Sequence, residues 1–149
     1  MKKALKILGT ILIIYIVVFS CNKLISSKLE EDINNSPAME NIRAKMEMKS
    51  VAEMMTKKLP QAVDSNTTAI KVEYLENENT LVFYYEVVNV TKEDVETKIS
   101  SLKTNQIEFI KNNPNNSAYL KAEVTFKYIY SDSNATELGS YTILPNEYM

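Results

Sequence analysis

Histidine and tryptophan are absent from this 149-residue chain, which has only two glycines, one cysteine and one arginine, Arg43. Each scarcity removes a class of chemistry. Without histidine the commonest general base and the commonest metal ligand are both missing. Gly9 and Gly139 are too far apart to build a glycine-rich phosphate loop. A lone arginine, and a chain that is net acidic once Lys2, Lys3 and Lys6 are set aside, leave little to hold a phosphate backbone, so nucleic acid is not an expected partner. A single cysteine excludes an internal disulfide framework.

One long uncharged stretch stands out. Residues 7–21, ILGTILIIYIVVFSC, follow Lys2, Lys3 and Lys6 and precede Lys23. A basic start, an apolar centre and a small residue at its end make the layout of a bacterial secretory signal. The last positions, Val17, Val18, Phe19, Ser20 and Cys21, resemble the lipoprotein form of that signal, in which the residue after the cleavage point is a cysteine that receives the lipid. Phe19 is bulkier than is usual there. The resemblance implies lipidation at Cys21, and the absence of any partner thiol agrees with it, because an unpaired cysteine in an oxidising compartment is a liability unless acylated. An uncleaved anchor is the second reading: the uncharged run is short for a spanning helix, which needs about 20 residues, so it would rely on lysines reaching the interface at both ends. A buried helix of a cytosolic core is the third, and an all-round apolar segment beside a lysine cluster is rarely that. Under either membrane reading the basic flank stays inside. The body is then extracytoplasmic and membrane-anchored.

Removing residues 1–21 leaves 128 residues, enough for one modest domain. Taking Lys2, Lys3 and Lys6 from the 17 basic residues leaves 14 against 19 acidic, a net charge of −5 on the exported part. Residues 22–36 are polar, rich in Ser and Asn, and read as a tether, with continuation of a helix from the membrane through Leu24, Ile25, Leu29 and Ile33 as the alternative. Residues 37–149 form the single folded domain.

Within that domain the hydrophobic period identifies the elements. Ser36 as N-cap and Pro37 at the first helical position open a helix that runs to about Leu59, before Pro60. Ala44, Met48, Val51, Ala52, Met55 and Leu59 fall on one stripe of it. Five of the seven methionines lie in this helix, but at about 100° per residue they do not converge on one ion, and core filling accounts for them. Alternation then predicts a strand over 68–75 with Ile70, Val72 and Tyr74 on one side, a turn at 76–79, and a strand over 80–88 with Leu81, Phe83, Tyr85 and Val87 inward. Thr91 and Asp94 resemble a capping box opening a second helix, whose apolar face is Val95, Ile99, Leu102, Ile107 and Ile110. After the breaker run 112–116, Leu120, Ala122, Val124, Phe126, Tyr128 and Tyr130 alternate with Lys121, Glu123, Thr125, Lys127 and Ile129. A turn at 132–135 leads to a last strand over 136–144. Helix, hairpin, helix, hairpin is an α+β order, and its simplest packing is a four-stranded antiparallel sheet with two helices on one face and the Lys/Glu face in water.

Leu59, Pro60, Val63, Asp64 and Thr67, a strand with Tyr84 and Tyr85, and a late hairpin over 131–143 together resemble a family of small exported bacterial proteins of unknown function. That resemblance implies a fold and a compartment and supplies no catalytic residue. Asp132, Asn134 and Thr136 alternate oxygens as a calcium loop does, but Glu137 and Ile143 stand where such a loop needs glycine and glutamate. No catalytic, cofactor or metal residue is assigned. The expected role is a membrane-tethered binding module (adaptor, assembly pilot or antagonist of the immunity type) whose partner is another envelope protein, with Tyr84, Val82 and Ile129 on the otherwise charged outer phase as the interaction surface. The alternative is a small extracytoplasmic hydrolase, which needs a convergent carboxylate pair in a cleft.

Overall fold

The computed structural model describes residues 37–113 and 116–149. The expected signal or anchor at 1–21 with Cys21, the expected tether at 22–36 and the expected N-cap Ser36 therefore lie outside the described residues. No described helix is long and apolar enough to cross a membrane.

Helix α1 (Pro37–Thr56) leads into a two-residue strand β1 (Gln61–Ala62), then β2 (Thr67–Leu75), a 3-10 turn (Glu76–Glu78) and β3 (Thr80–Val87). Helix α2 (Lys92–Asn112) and the short α3 (Ser117–Ala122) follow, then β4 (Thr125–Ser131), β5 (Glu137–Ile143) and a terminal turn of helix, α4 (Pro145–Tyr148). The class is α+β, as expected, but the sheet has five strands in the order β1-β2-β3-β4-β5 and is mixed. Strands β3 and β4 pair in parallel, while every other neighbouring pair is antiparallel. The four-stranded antiparallel expectation is corrected on both counts.

The physical reason lies in the connection. Helix α2, at about 1.5 Å per residue, is roughly 30 Å long, whereas the eight residues of β3 span about 26 Å. The helix thus carries the chain back past the whole strand, and β4 starts again beside the start of β3, the crossover that parallel pairing requires. Asn79 fixes the landing point. Its backbone takes the left-handed conformation that asparagine tolerates, with φ 48°. Its Nδ2 donates to the carbonyls of Ala122 (2.7 Å) and Glu123 (3.0 Å), its Oδ1 accepts from the Tyr74 hydroxyl (2.7 Å), and its carbonyl accepts from the Thr125 N–H (3.0 Å). The β2–β3 turn and the start of β4 are tied together there.

One core lies between the sheet and the helices. Ala44, Met48, Val51, Ala52 and Met55 of α1 are buried in it, facing Val72, Leu81, Phe83, Tyr85 and Val87. From the second half come Val95 and Ile110 of α2, Tyr119, Ala122, Val124, Phe126, Tyr128, Tyr130, Tyr141 and Ile143. The phase read for the 120–130 segment is therefore right from Ala122 onward, although Leu120 and Ala122 sit on α3, not on a strand. The parallel register places Phe83 beside Tyr128 and Tyr85 beside Tyr130, and both pairs stack, with ring centroids 5.0 and 5.1 Å apart. Tyr128 stacks in turn on Tyr141 at 4.7 Å. Aromatic rows of this kind on one face of a sheet add about 0.5–1.5 kcal/mol per pair beyond burial and disfavour a slipped register. Burial raises the phenol pKa of Tyr85 and Tyr128 well above the ordinary value and pushes Tyr130 up to about 12. Desolvation of the phenolate is the leading cause in all three.

The capping box forms: the Asp94 N–H donates to Thr91 Oγ1 (3.2 Å) and the Thr91 N–H donates to Asp94 Oδ2 (2.9 Å). One inward assignment fails. A bulge between Ala69 and Lys71 shifts the β2 register, and Ile70 turns outward, 42% exposed. At the C-terminus the Tyr148 hydroxyl donates to the Val124 carbonyl (2.6 Å) and its ring meets Phe126 edge-on, closing the core beneath α4.

Candidate interaction surface

Two surfaces of the described residues have room for a partner. The first is the sheet face turned away from the helices. There Lys71 and Glu73 of β2 pair at 2.8 Å, the Tyr84 hydroxyl donates to Glu73 Oε2 (3.2 Å), and Lys71 Nζ lies 5.2 Å from the centroid of the Tyr84 ring. The hydrogen bond from Lys71 holds the Glu73 carboxyl below its usual range, and Lys71 is raised by the same bond. Partial burial first, and the Glu73 charge second, raise the Tyr84 phenol. Both charges are exposed, so the pair itself is worth about 1 kcal/mol or less; its effect is to hold the Tyr84 ring in place.

The sequence-predicted surface is only partly assembled. Parallel pairing sets Ile129 beside Tyr84, and both are half-buried with some ring and chain surface left open. Val82 is 1% exposed and outside the main core cluster: flanked by Glu73 and Lys127, it supports that face from below and offers no area to a partner. Val82 is thus a correction to the expected contact set.

The second surface was not seen in the sequence. A groove of about 440 Å³ runs between α1 and β2, lined by Lys49, Ala52, Glu53, Thr56, Lys57, Val72 and Tyr74. Its size is that of a small-ligand or peptide site. Four α1 residues, Lys49, Ala52, Glu53 and Thr56, with Lys57 one position past its end, recur at helical spacing along one flank, and the Thr56 hydroxyl donates to the Val72 carbonyl across the groove (2.6 Å). The two walls of the groove come from segments 15 or more residues apart with no shared pattern, which is why periodicity could not reveal it. A second cavity, about 20 Å³ among Phe83, Gln106, Asn116 and Tyr128, has room for one water and nothing larger. Among the described residues no three His, Cys, Asp or Glu side chains gather to hold a metal.

With this geometry in hand the chain can be placed among known proteins. A family model described as a domain of unknown function, DUF8479, matches residues 43–139. The chain belongs to the DUF8479 family. Among curated proteins no sequence match was found. Solved structures resemble this DUF8479 protein in fold at low identity. A Pseudomonas aeruginosa protein thought to be secreted aligns with a TM-score of 0.62 and 11% identity, over 74% of this chain and 96% of its own. EpsS, the pilotin of the Vibrio vulnificus type 2 secretion system, aligns with a TM-score of 0.55 and 7% identity, over 75% and 97%. AspS, a type II secretion system pilotin of Vibrio cholerae, aligns with a TM-score of 0.52 and 7% identity, over 74% and 96%. At these identities the likeness is one of fold.

Proposed function

We propose that this DUF8479 protein is a membrane-tethered, extracytoplasmic binding module of a bacterial envelope, with an assembly pilot favoured over an adaptor or an antagonist. The observation that carries the reading is the fold it shares with two secretion-system pilotins over three quarters of its length and nearly all of theirs. The N-terminal layout supports the tether: residues 1–21 act as a lipoprotein signal or membrane anchor, Cys21 carries the lipid, and residues 22–36 let the body at 37–149 stand off from the bilayer. Tyr84 and Ile129 on the open sheet face provide contact area rimmed by Lys71, Glu73 and Lys127, the composition of an interface centre with a charged rim. A hydrolase would need two carboxylates in its cleft, and the α1–β2 groove is lined by one, Glu53.

The test is affinity capture of the full-length protein from intact cells after crosslinking, combined with mass spectrometry of the purified chain. The expected result is one stoichiometric envelope partner and a chain that begins at an acylated Cys21. Recovery of the protein alone, with no envelope partner enriched, would overturn the binding reading. An intact Met1 with a free Cys21 thiol would replace the lipid by a spanning anchor.

A further inference from the structure

The geometry points to the outer edge of β2 as a docking site for an extended segment of a partner protein, which adds as a further strand and lays alternating acidic, basic and acidic side chains along α1. This rests on the binding reading above and specifies the chemistry of the partner.

The edge is open because β1 is so short. It pairs only Gln61 with Ala69 and Ala62 with Thr68, and beyond Ala69 no strand among the described residues pairs with the outer side of β2. The Val72 carbonyl is reached there by the Thr56 hydroxyl, so it points away from β3. In an antiparallel ladder the N–H of the same residue points the same way, and the residue two further on repeats it. Val72 and Tyr74 therefore present their backbone groups to the groove; no strand covers them, but the Thr56 hydroxyl already caps the Val72 carbonyl, and an incoming strand must displace it by rotating the exposed Thr56 side chain aside. Unpaired edges of this kind accept strands.

The helix flank sets the side-chain pattern. Lys49, Glu53 and Lys57 are exposed and make no ion pair among the described residues. They lie four residues apart, about 6 Å along the helix axis, with Lys57 in the turn that continues α1 past Thr56 through its N–H to the Glu53 carbonyl (3.1 Å). Alternate residues of a strand are about 6.8 Å apart. A strand lying along the groove thus meets Lys, Glu and Lys with every second residue, and acidic, basic, acidic is the complementary order. Its other side chains emerge beside Lys71 and Glu73 and continue the open sheet face toward Tyr84, so the edge and the face form one continuous surface.

The probe is a synthetic nonapeptide with Glu, Lys and Glu at alternate central positions and Thr or Val between them, compared with its Lys, Glu, Lys counterpart. Each is titrated into isotope-labelled full-length protein in detergent micelles and followed by amide NMR and hydrogen exchange. The expected result is shifts confined to residues 49–57 and to Val72 and Tyr74, slowed exchange of the latter two amides, and at least fivefold preference for the Glu, Lys, Glu peptide. The surface double variant Lys49→Glu/Lys57→Glu should remove or reverse that preference with its melting point kept. Equal binding of both peptides, shifts centred on Tyr84 and Ile129 with Val72 and Tyr74 unmoved, or no binding at millimolar peptide each overturn the edge site. If capture still returns an envelope partner in any of these cases, the binding reading stands without it.

Discussion

At Gly139 the docking of α2 onto the sheet is decided by a single hydrogen atom. It lies in β5 opposite Tyr130, and a Cβ built there would fall 2.8 Å from Val95 Cγ1 and 2.9 Å from Ile99 Cδ1. The Ile99 methyl is the far end of a flexible chain and can swing aside. Val95 cannot: it is buried, β-branched and held to essentially one rotamer on a helix. Gly139→Ala therefore forces α2 outward or strains the Val95 side chain, at about 1–3 kcal/mol for overpacking. The lost freedom of the unfolded chain offsets about 0.4–1 kcal/mol of that. A net loss of about 1–2 kcal/mol lowers the melting temperature of a domain this size by about 4–8 °C. Trimming the obstacle should relieve the clash: Val95→Ala alone costs about 2 kcal/mol, but Gly139→Ala/Val95→Ala should cost less than the two added, with a coupling of at least about 1 kcal/mol. Thermal and urea melts of the four proteins measure this. A Gly139→Ala protein as stable as wild type, or strict additivity, would refute the close seating of α2 on β5.

Other outcomes follow from the core and the surface. Phe126→Ala removes a ring that meets Tyr119 and Tyr148 edge-on and should cost about 3–5 kcal/mol, while Lys127→Ala, one residue on and exposed, should stay within about 0.5 kcal/mol in the same melts. Tyr84→Ala should move the melting point by only a few degrees yet weaken partner capture by more than about 1 kcal/mol; a large loss of stability would make Tyr84 a core residue. Because the folded state holds the Tyr130 phenol near 12 against an ordinary 10.0, its contribution to stability is complete below pH 10 and is lost as pH rises toward 12. Tyrosinate absorbance and circular dichroism should therefore change together in that window, and ionisation of the buried tyrosines without unfolding would contradict their packing.

What the sequence could disclose depended on whether a pattern carried the information. Ala44, Met48, Val51, Ala52 and Met55 repeat at the helical period, and that period alone sets which side of α1 is buried. The phase of Val124, Phe126, Tyr128 and Tyr130 was equally legible, since a strand with one buried face has no other way to turn. Direction was not. Alternation is identical in parallel and antiparallel strands, so nothing in 125–131 announces that it lies alongside β3 and not at the far edge. The bulge that turns Ile70 outward leaves no trace in an alternation that looks unbroken, and two residues of β1 are too few to show a period. For the candidate site, Tyr84 and Ile129 could be named as an interruption of a polar phase, but Val82 could not be told from them because its cover comes from its neighbours on the sheet. The groove was invisible because Lys49, Glu53 and Lys57 read simply as a solvated helix flank until β2 is set beside them.

The parallel pairing of β3 with β4 has a consequence for the order of events during synthesis. Leu81 finds its partner Phe126 only 45 residues later in the chain, so a polypeptide emerging N-terminus first completes α1 and the β2–β3 hairpin well before β4 exists. Until then the run Leu81, Val82, Phe83, Tyr84, Tyr85 has an uncovered flank of apolar, strand-forming residues, the composition most prone to mispair between chains. Distant closure of this sort is slow compared with local hairpin formation. The middle of the finished sheet is thus its most vulnerable part while the chain is being made, and a holdase acting on this protein would be expected to grip residues 81–85 and let go once residues 125–131 arrive.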